Sequence, residues 1–147
     1  MTLAELIPAD HVFDRLRAAD KPALLSVLAR LAAPPLGVPP APVAAALAAR
    51  EALGSTGTGG GIALPHARLD GLAAPTGFLA RLDRPMAWDA VDGRPVDLVF
   101  LLLSPAADAA HLKALAAVAR RLRTPGVAEA MREAGPATAL RAALVEA

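Results

Sequence analysis

The stretch Gly54–His66 has the sequence GSTGTGGGIALPH and contains the most informative pattern in the chain. Glycine has no Cβ atom, so a glycine-rich loop leaves its backbone N–H groups uncovered and can wrap closely around an anion. Directly after the glycines, Ile62–Leu64 is predicted to form a short buried strand. Pro65 then fixes the backbone that leads into His66. The pattern predicts one imidazole held at the end of a strand, beside a loop suited to phosphate.

Two other functions of a glycine-rich loop do not fit this segment. A nucleotide-binding P-loop ends in Gly-Lys followed by Ser or Thr, and no lysine follows these glycines. A dinucleotide-binding turn follows a strand, whereas the residues before Gly54 have a helical pattern. A flexible linker is also disfavoured, because linkers rarely run into a buried Ile-Ala-Leu strand. The arrangement suits a histidine that carries a phosphoryl group.

Composition excludes several classes of function. The chain has 147 residues, enough for one domain with a core of its own, here taken as 1–147. Its formal net charge is +1 and its basic residues are scattered, which argues against a nucleic-acid partner. It has no cysteine, so disulfides, thiolate metal sites and cysteine nucleophiles are excluded. Its three histidines lack ligand spacing, so no metal site is expected.

The sequence predicts neither a targeting segment nor membrane insertion. The N-terminus lacks the basic start and apolar run of a signal peptide. The longest uncharged stretch, Leu31–Ala49, is long enough to suggest a membrane span, but five prolines interrupt it. A cytoplasmic bacterial protein is therefore expected.

Helical patterns occupy the first third of the chain. Asp20 is a predicted N-cap of a helix that Pro34-Pro35 is expected to end. A second helix is predicted to start near Pro40 or Ala41 and to end at Gly54, which suits the first position after a helix. Arg50 then lies in the last turn, close to the glycine-rich loop.

The remaining pattern predicts strands followed by helices. Two strands are predicted over residues 77–82 and 96–103, and the unbroken apolar run of the second suggests a central strand buried on both faces. Asp108 is expected to cap a third helix with an apolar stripe formed by Leu112, Leu115, Ala119 and Leu122. Two short helices are predicted near 125–133 and 136–145. This alternation predicts a single α/β domain in which helices cover a sheet.

Three segments together resemble a known family. They are the segment Arg50–Gly57 running on to Pro65-His66, the segment Asp89–Phe100 (DAVDGRPVDLVF), and the segment His111–Leu115 (HLKAL) at the start of a helix. In sequence, order and spacing they resemble enzyme IIA of the bacterial phosphoenolpyruvate-dependent phosphotransferase system, of the mannitol, fructose and nitrogen-regulatory type. The resemblance covers nearly the whole chain. It implies a mixed central β-sheet flanked by α-helices.

The residues and the resemblance together define a candidate site. A neutral imidazole is a competent nucleophile near pH 7, so His66 is the expected phosphoryl acceptor, and the resemblance places the group on its Nε2 atom. Arg50 can supply positive charge, while Ser55, Thr56 and the Gly57 amide can donate hydrogen bonds to phosphate. The resemblance places His111 next to the phosphorylated histidine. The roles of Glu51 and His11 are left open.

The resemblance also implies partners. A small histidine-containing phosphocarrier, charged by enzyme I from phosphoenolpyruvate, would donate to His66, and no cofactor, metal or nucleotide is implied. The segment Asp89–Leu103 is closest to nitrogen-type members, which favours a regulatory protein whose targets respond to its phosphorylation. A sugar-uptake role, with transfer to a IIB protein, stays open. No fused IIB or membrane region is expected in this chain.

Overall fold

The computed structural model describes residues 1–146 and places six strands in one mixed sheet at the centre of the fold. The strands are β1 (Val12–Leu16), β2 (Gly57–Gly59), β3 (Ile62–Ala63), β4 (His66–Arg68), β5 (Thr76–Met86) and β6 (Val96–Ser104). The helices are α1 (Leu3–Leu6), α2 (Lys21–Leu36), α3 (Pro40–Ala52), α4 (Ala109–Arg123), α5 (Val127–Glu133) and α6 (Ala137–Val145). The strand order is β1-β5-β6-β3-β2, and β4 also pairs with β6.

Strand β6 is the centre of the sheet, as its apolar sequence predicts. It pairs with β5 in the antiparallel direction and with β3 and β4 in the parallel direction. Its side chains alternate between two cores: Leu98, Phe100 and Leu102 contribute to one, and Val99, Leu101 and Leu103 to the other. Helices α2 and α3 cover the second core, while α1, α4, α5 and α6 cover the first. The expected mixed sheet flanked by helices is confirmed.

Helix α2 differs from its predicted end. Asp20 caps it as expected, since its carboxylate accepts the Ala23 N–H at 3.0 Å. The prediction that Pro34-Pro35 stops the helix is wrong, because the helix continues to Leu36 and ends at Gly37, which has a φ of +66°. The two prolines occupy the last turn, so only two helical hydrogen bonds are lost before the left-handed glycine terminates the helix.

The sequence patterns missed two elements near the N-terminus. Strand β1 pairs in parallel with β5 at the edge of the sheet, and Arg15 within it has a φ of +54° that disturbs its alternation. Arg81 of β5 holds this edge strand by donating to both oxygens of Asp14, at 2.7 and 2.6 Å. The hydrogen bonds from Arg81 keep the pKa of Asp14 below its ordinary value. The short helix α1 was also not predicted.

The strand predicted over Ile62–Leu64 is shorter in the structure, and a second short strand begins after Pro65. Strand β3 ends at Ala63, and β4 begins at His66, opposite Leu102 of β6. Pro65 has no N–H to donate, but its carbonyl accepts the Leu102 N–H at 3.0 Å, so both short strands remain beside β6. His66 is consequently the first residue of a new strand rather than the end of the previous one.

Candidate functional site

The ring of His66 is held by a backbone carbonyl two residues earlier. Its Nδ1 atom lies 2.8 Å from the Leu64 carbonyl oxygen. A carbonyl oxygen can only accept a hydrogen bond, so Nδ1 carries the proton in the neutral ring. The second nitrogen, Nε2, therefore carries the lone pair of the neutral ring. The side chain is half-buried, which leaves part of this ring open to an incoming group.

Arg50 is placed against the same nitrogen. It lies in the last turn of α3, as predicted, and its Nε atom is 3.3 Å from Nε2 of His66. Its Nη1 atom donates to the Gly54 carbonyl at 2.8 Å, which fixes the guanidinium between the helix end and the imidazole. The planar guanidinium presents several donors in a rigid geometry suited to phosphate oxygens.

Glu51 anchors the glycine-rich loop to the two neighbouring helices. Its side chain is 6% exposed, and its Oε2 atom accepts hydrogen bonds from the Thr56 N–H at 2.9 Å and from Lys21 Nζ at 3.0 Å. Its Oε1 atom accepts the Thr56 hydroxyl at 2.6 Å. Trp88 Nε1 donates to that same hydroxyl at 3.2 Å. The role that the sequence left open for Glu51 is thus to position the loop beside Arg50.

The predicted phosphate donors of the loop bind other parts of the loop and its surroundings. The Ser55 hydroxyl donates to the Trp88 carbonyl at 2.8 Å and accepts the Gly57 N–H at 3.1 Å. Both donors of Thr56 are directed to Glu51. Phosphate binding by Ser55, Thr56 and Gly57 stays a prediction, and it requires these hydrogen bonds to be exchanged.

His111 lies beside His66, as the resemblance implied. The centroids of the two rings are 5.5 Å apart, and their planes are tilted by 50°. The residue is 5% exposed, and its Nδ1 atom is 2.7 Å from the Ser104 hydroxyl. Burial, and secondarily the nearby His66, lower the pKa of His111, although Asp108 acts in the opposite direction. Burial therefore favours the neutral form of the His111 imidazole.

The position of His111 changes the predicted stripe of α4. Asp108 caps this helix as expected, with its carboxylate 3.2 Å from the His111 N–H. However, Leu112 is 63% exposed, and the buried residues of the helix are His111, Val118 and Leu122. The apolar pattern predicts that Leu112 faces the core, but in the structure the imidazole of His111 faces the core instead.

The third histidine, His11, lies outside this group. Its ring stacks on Phe78 with centroids 4.1 Å apart, and its Nδ1 atom lies 3.1 Å from the Gly77 carbonyl. The residue is 7% exposed and belongs to the interior. The site thus combines His66, Arg50 and His111, the three residues predicted to act directly on the phosphoryl group.

Comparison with known families bears directly on this arrangement. A family model described as the phosphoenolpyruvate-dependent sugar phosphotransferase system, EIIA 2, matches residues 5–147. The chain belongs to this family. The resemblance carried by the three sequence segments is confirmed.

Proteins similar to this chain include nitrogen regulatory proteins and a sugar-specific component. A nitrogen regulatory protein from Bradyrhizobium diazoefficiens is 41% identical over 145 residues, covering 98% of this chain and 95% of that protein. The crystal structure of nitrogen regulatory protein IIA-Ntr from Neisseria meningitidis has a TM-score of 0.88 at 35% identity, covering 97% of this chain and 98% of that one. A fructose-specific EIIA component from Haloferax volcanii is 41% identical over 90 residues, covering 60% of this chain and 58% of that protein.

Two further properties concern ligands and membranes. Within residues 1–146, no group of three or more His, Cys, Asp or Glu side chains is arranged to hold a metal ion. None of the described helices is long and apolar enough to cross a membrane.

Sequence reasoning missed Ser104 as a neighbour of the site. It is the last residue of β6 and is fully buried, and its hydroxyl contacts His111. The available signal was a single polar residue directly after the apolar run Leu98–Leu103. Without the fold, nothing linked that residue to a histidine seven positions later.

The lowered pKa of His111 predicts a pH-dependent contribution to stability. In the unfolded chain a histidine titrates at about 6.5, so as the pH falls below that value the unfolded state binds a proton before the folded state does. The contribution of His111 is full above this pH and is lost as the pH decreases. Urea unfolding of the wild type and of His111→Gln should give a stability difference that is constant above about pH 7 and falls below it. A difference that stays constant or grows toward acid pH would contradict the burial effect.

Proposed function

We propose that this protein is a phosphorelay protein that accepts a phosphoryl group on Nε2 of His66 and acts mainly as a regulator. The observation that carries the proposal is the contact between His66 Nδ1 and the Leu64 carbonyl, because it leaves Nε2 as the nucleophilic nitrogen. The proposed donor is a histidine-containing phosphocarrier. With such a donor, the expected site of action is the cytoplasm.

The transfer step exchanges one P–N bond for another. The lone pair of His66 Nε2 attacks the phosphorus atom of the donor's phosphohistidine, in line with the bond that breaks. The electron pair of that bond returns to the donor's ring nitrogen. The His66 Nδ1–H is held by the Leu64 carbonyl throughout, so the attacking nitrogen needs no general base. The same geometry supports the reverse transfer, or transfer to a further protein.

Arg50 and His111 are the proposed supports for this step. Phosphoryl transfer depends mainly on positioning and on stabilising charge that is spread over the three oxygens. Arg50 touches Nε2 in the resting site, so its guanidinium is available to the oxygens once the group arrives. His111 is a neutral ring 5.5 Å away and can donate a hydrogen bond to the same group. Ser55, Thr56 and Gly57 are proposed as additional donors.

The regulatory assignment rests on the relatives and on charge. The nitrogen regulatory protein from Bradyrhizobium diazoefficiens matches 98% of this chain, whereas the fructose-specific relative matches 60% of it. A phosphoryl group adds roughly two negative charges at neutral pH to a half-buried site. A partner that covers His66 would then bind the two states with different affinity, which is the requirement for a switch.

Labelling tests the phosphoryl acceptor directly. Incubation with radiolabelled phosphoenolpyruvate, enzyme I and the phosphocarrier should label the wild type and leave His66→Ala unlabelled. The matched controls are His11→Gln and His111→Gln, since these change the other two histidines; both should take label, the second more slowly. Label on His66→Ala at the wild-type stoichiometry would contradict the assignment of His66.

A second experiment separates the regulator from its alternative, a sugar-uptake IIA that passes the group to a IIB protein. The fructose-specific relative is the observation that favours this alternative. We predict that the phosphoprotein and His66→Ala retain different partners from the native extract, and that a partner with no role in sugar uptake prefers one state. Each candidate is then purified and its affinity measured for both states. Rapid transfer to a IIB protein, together with loss of growth on one sugar after deletion, would overturn the regulatory proposal.

A further inference from the structure

Ser104 is a polar residue at a position that the rest of its strand fills with apolar side chains. It ends β6 and is 0% exposed, directly after the buried residues Leu101–Leu103. Its backbone carbonyl accepts the Leu69 N–H at 2.8 Å, so the end of the strand is fixed on that side. Its hydroxyl points to Nδ1 of His111 at 2.7 Å. A buried hydroxyl is stable only where it has a hydrogen-bond partner, and here that partner is His111.

The surroundings of the hydroxyl decide which atom donates. If Nδ1–H donated to the Ser104 oxygen, the hydroxyl hydrogen would need an acceptor of its own. The Ser104 hydroxyl has no other hydrogen-bond partner within the described part of the chain, and solvent does not reach it. If the hydroxyl donates to Nδ1 instead, a single bond satisfies both groups. The second arrangement gives the buried hydroxyl hydrogen of Ser104 an acceptor, and it puts the proton of the neutral His111 ring on Nε2.

We propose that Ser104 is a positioning residue that fixes His111 as an Nε2–H hydrogen-bond donor for the phosphoryl group on His66. The inference rests on the proposed function and adds to it the residue that sets the tautomer of the second histidine. The two rings then have opposite tautomers. In the neutral rings, His66 carries its proton on Nδ1 because that atom contacts the Leu64 carbonyl. His111 carries its proton on Nε2 because its Nδ1 atom accepts from Ser104.

Opposite tautomers also explain how two adjacent histidines keep separate roles. The lone pair of His111 lies on Nδ1, where the Ser104 hydroxyl occupies it inside the protein. It is therefore shielded from the phosphorus atom, so His111 does not compete as an acceptor. The Nε2–H is the nitrogen on the far side of the ring from Ser104 and is free to stabilise charge on the phosphoryl oxygens.

Nitrogen NMR measures the tautomer without any turnover. A long-range ¹H–¹⁵N spectrum at about pH 8, where an ordinary histidine is neutral, separates the two neutral forms of each ring. We expect wild-type His111 to be the Nε2–H form. In Ser104→Ala the hydroxyl donor is lost, so the Nδ1–H form of His111 should become populated while His66 keeps its tautomer. Transfer to and from the phosphocarrier should slow by about tenfold, with the label still on His66.

Two comparisons make the result decisive. Ser104→Thr keeps the hydroxyl and should retain the Nε2–H form and a rate near that of the wild type, with a thermal melt to verify its fold. The wild-type spectrum needs no variant: an Nδ1–H tautomer of His111 would overturn the role of Ser104, even in a protein that takes label. An unchanged tautomer and unchanged rate in Ser104→Ala would overturn it as well. A wild type that takes no label would contradict the proposed function itself, which the spectra alone do not test.

Discussion

The hydrogen bond from His66 Nδ1 to the Leu64 carbonyl is the constraint on which the rest of the site depends. It is a local contact of 2.8 Å between residues two positions apart, and it selects one tautomer of the neutral ring. Without it, either nitrogen could carry the proton and Arg50 would have no defined lone pair to face. With it, Nε2 carries the lone pair that the proposed transfer requires, and the neighbouring side chains lie where they could stabilise the group that it would receive. The fold positions these few atoms.

The sheet and the glycine-rich loop provide this contact together. Pro65 separates β3 from β4, which both pair with β6, and in this gap the Leu64 carbonyl accepts a hydrogen bond from the ring of His66. On the other side, Glu51 binds Thr56 and Lys21, so hydrogen bonds connect the end of α3 to the loop and to the start of α2. Separating Glu51 from these partners would leave a buried carboxylate uncompensated, a change that typically costs about 3–5 kcal/mol. Arg50 directly precedes Glu51 in the chain, so the contacts of Glu51 also position Arg50.

Much of the fold could be predicted because the relevant signals are local. The apolar run of β6, the caps at Asp20 and Asp108, and Gly54 after α3 all depend on neighbouring residues, and the structure agrees with each of them. The positions of Arg50 and His66 could likewise be predicted from the local sequence of the segment that contains them.

The misses involve contacts between distant segments. Pro34-Pro35 is tolerated because it falls in a last turn, whose end is set by Gly37. Leu112 faces solvent because His111 takes the inward position against Ser104, and no apolar pattern reports a buried polar pair. The loop hydroxyls of Ser55 and Thr56 have partners in Trp88 and Glu51, which sequence spacing does not reveal.

The most direct test of the account is a long-range ¹H–¹⁵N spectrum of His66 before and after phosphorylation. The account predicts an Nδ1–H ring in the free protein and a phosphoryl group bonded to Nε2 in the phosphoprotein, whereas an Nε2–H ring in the free protein, or a phosphoryl group on Nδ1, would contradict it.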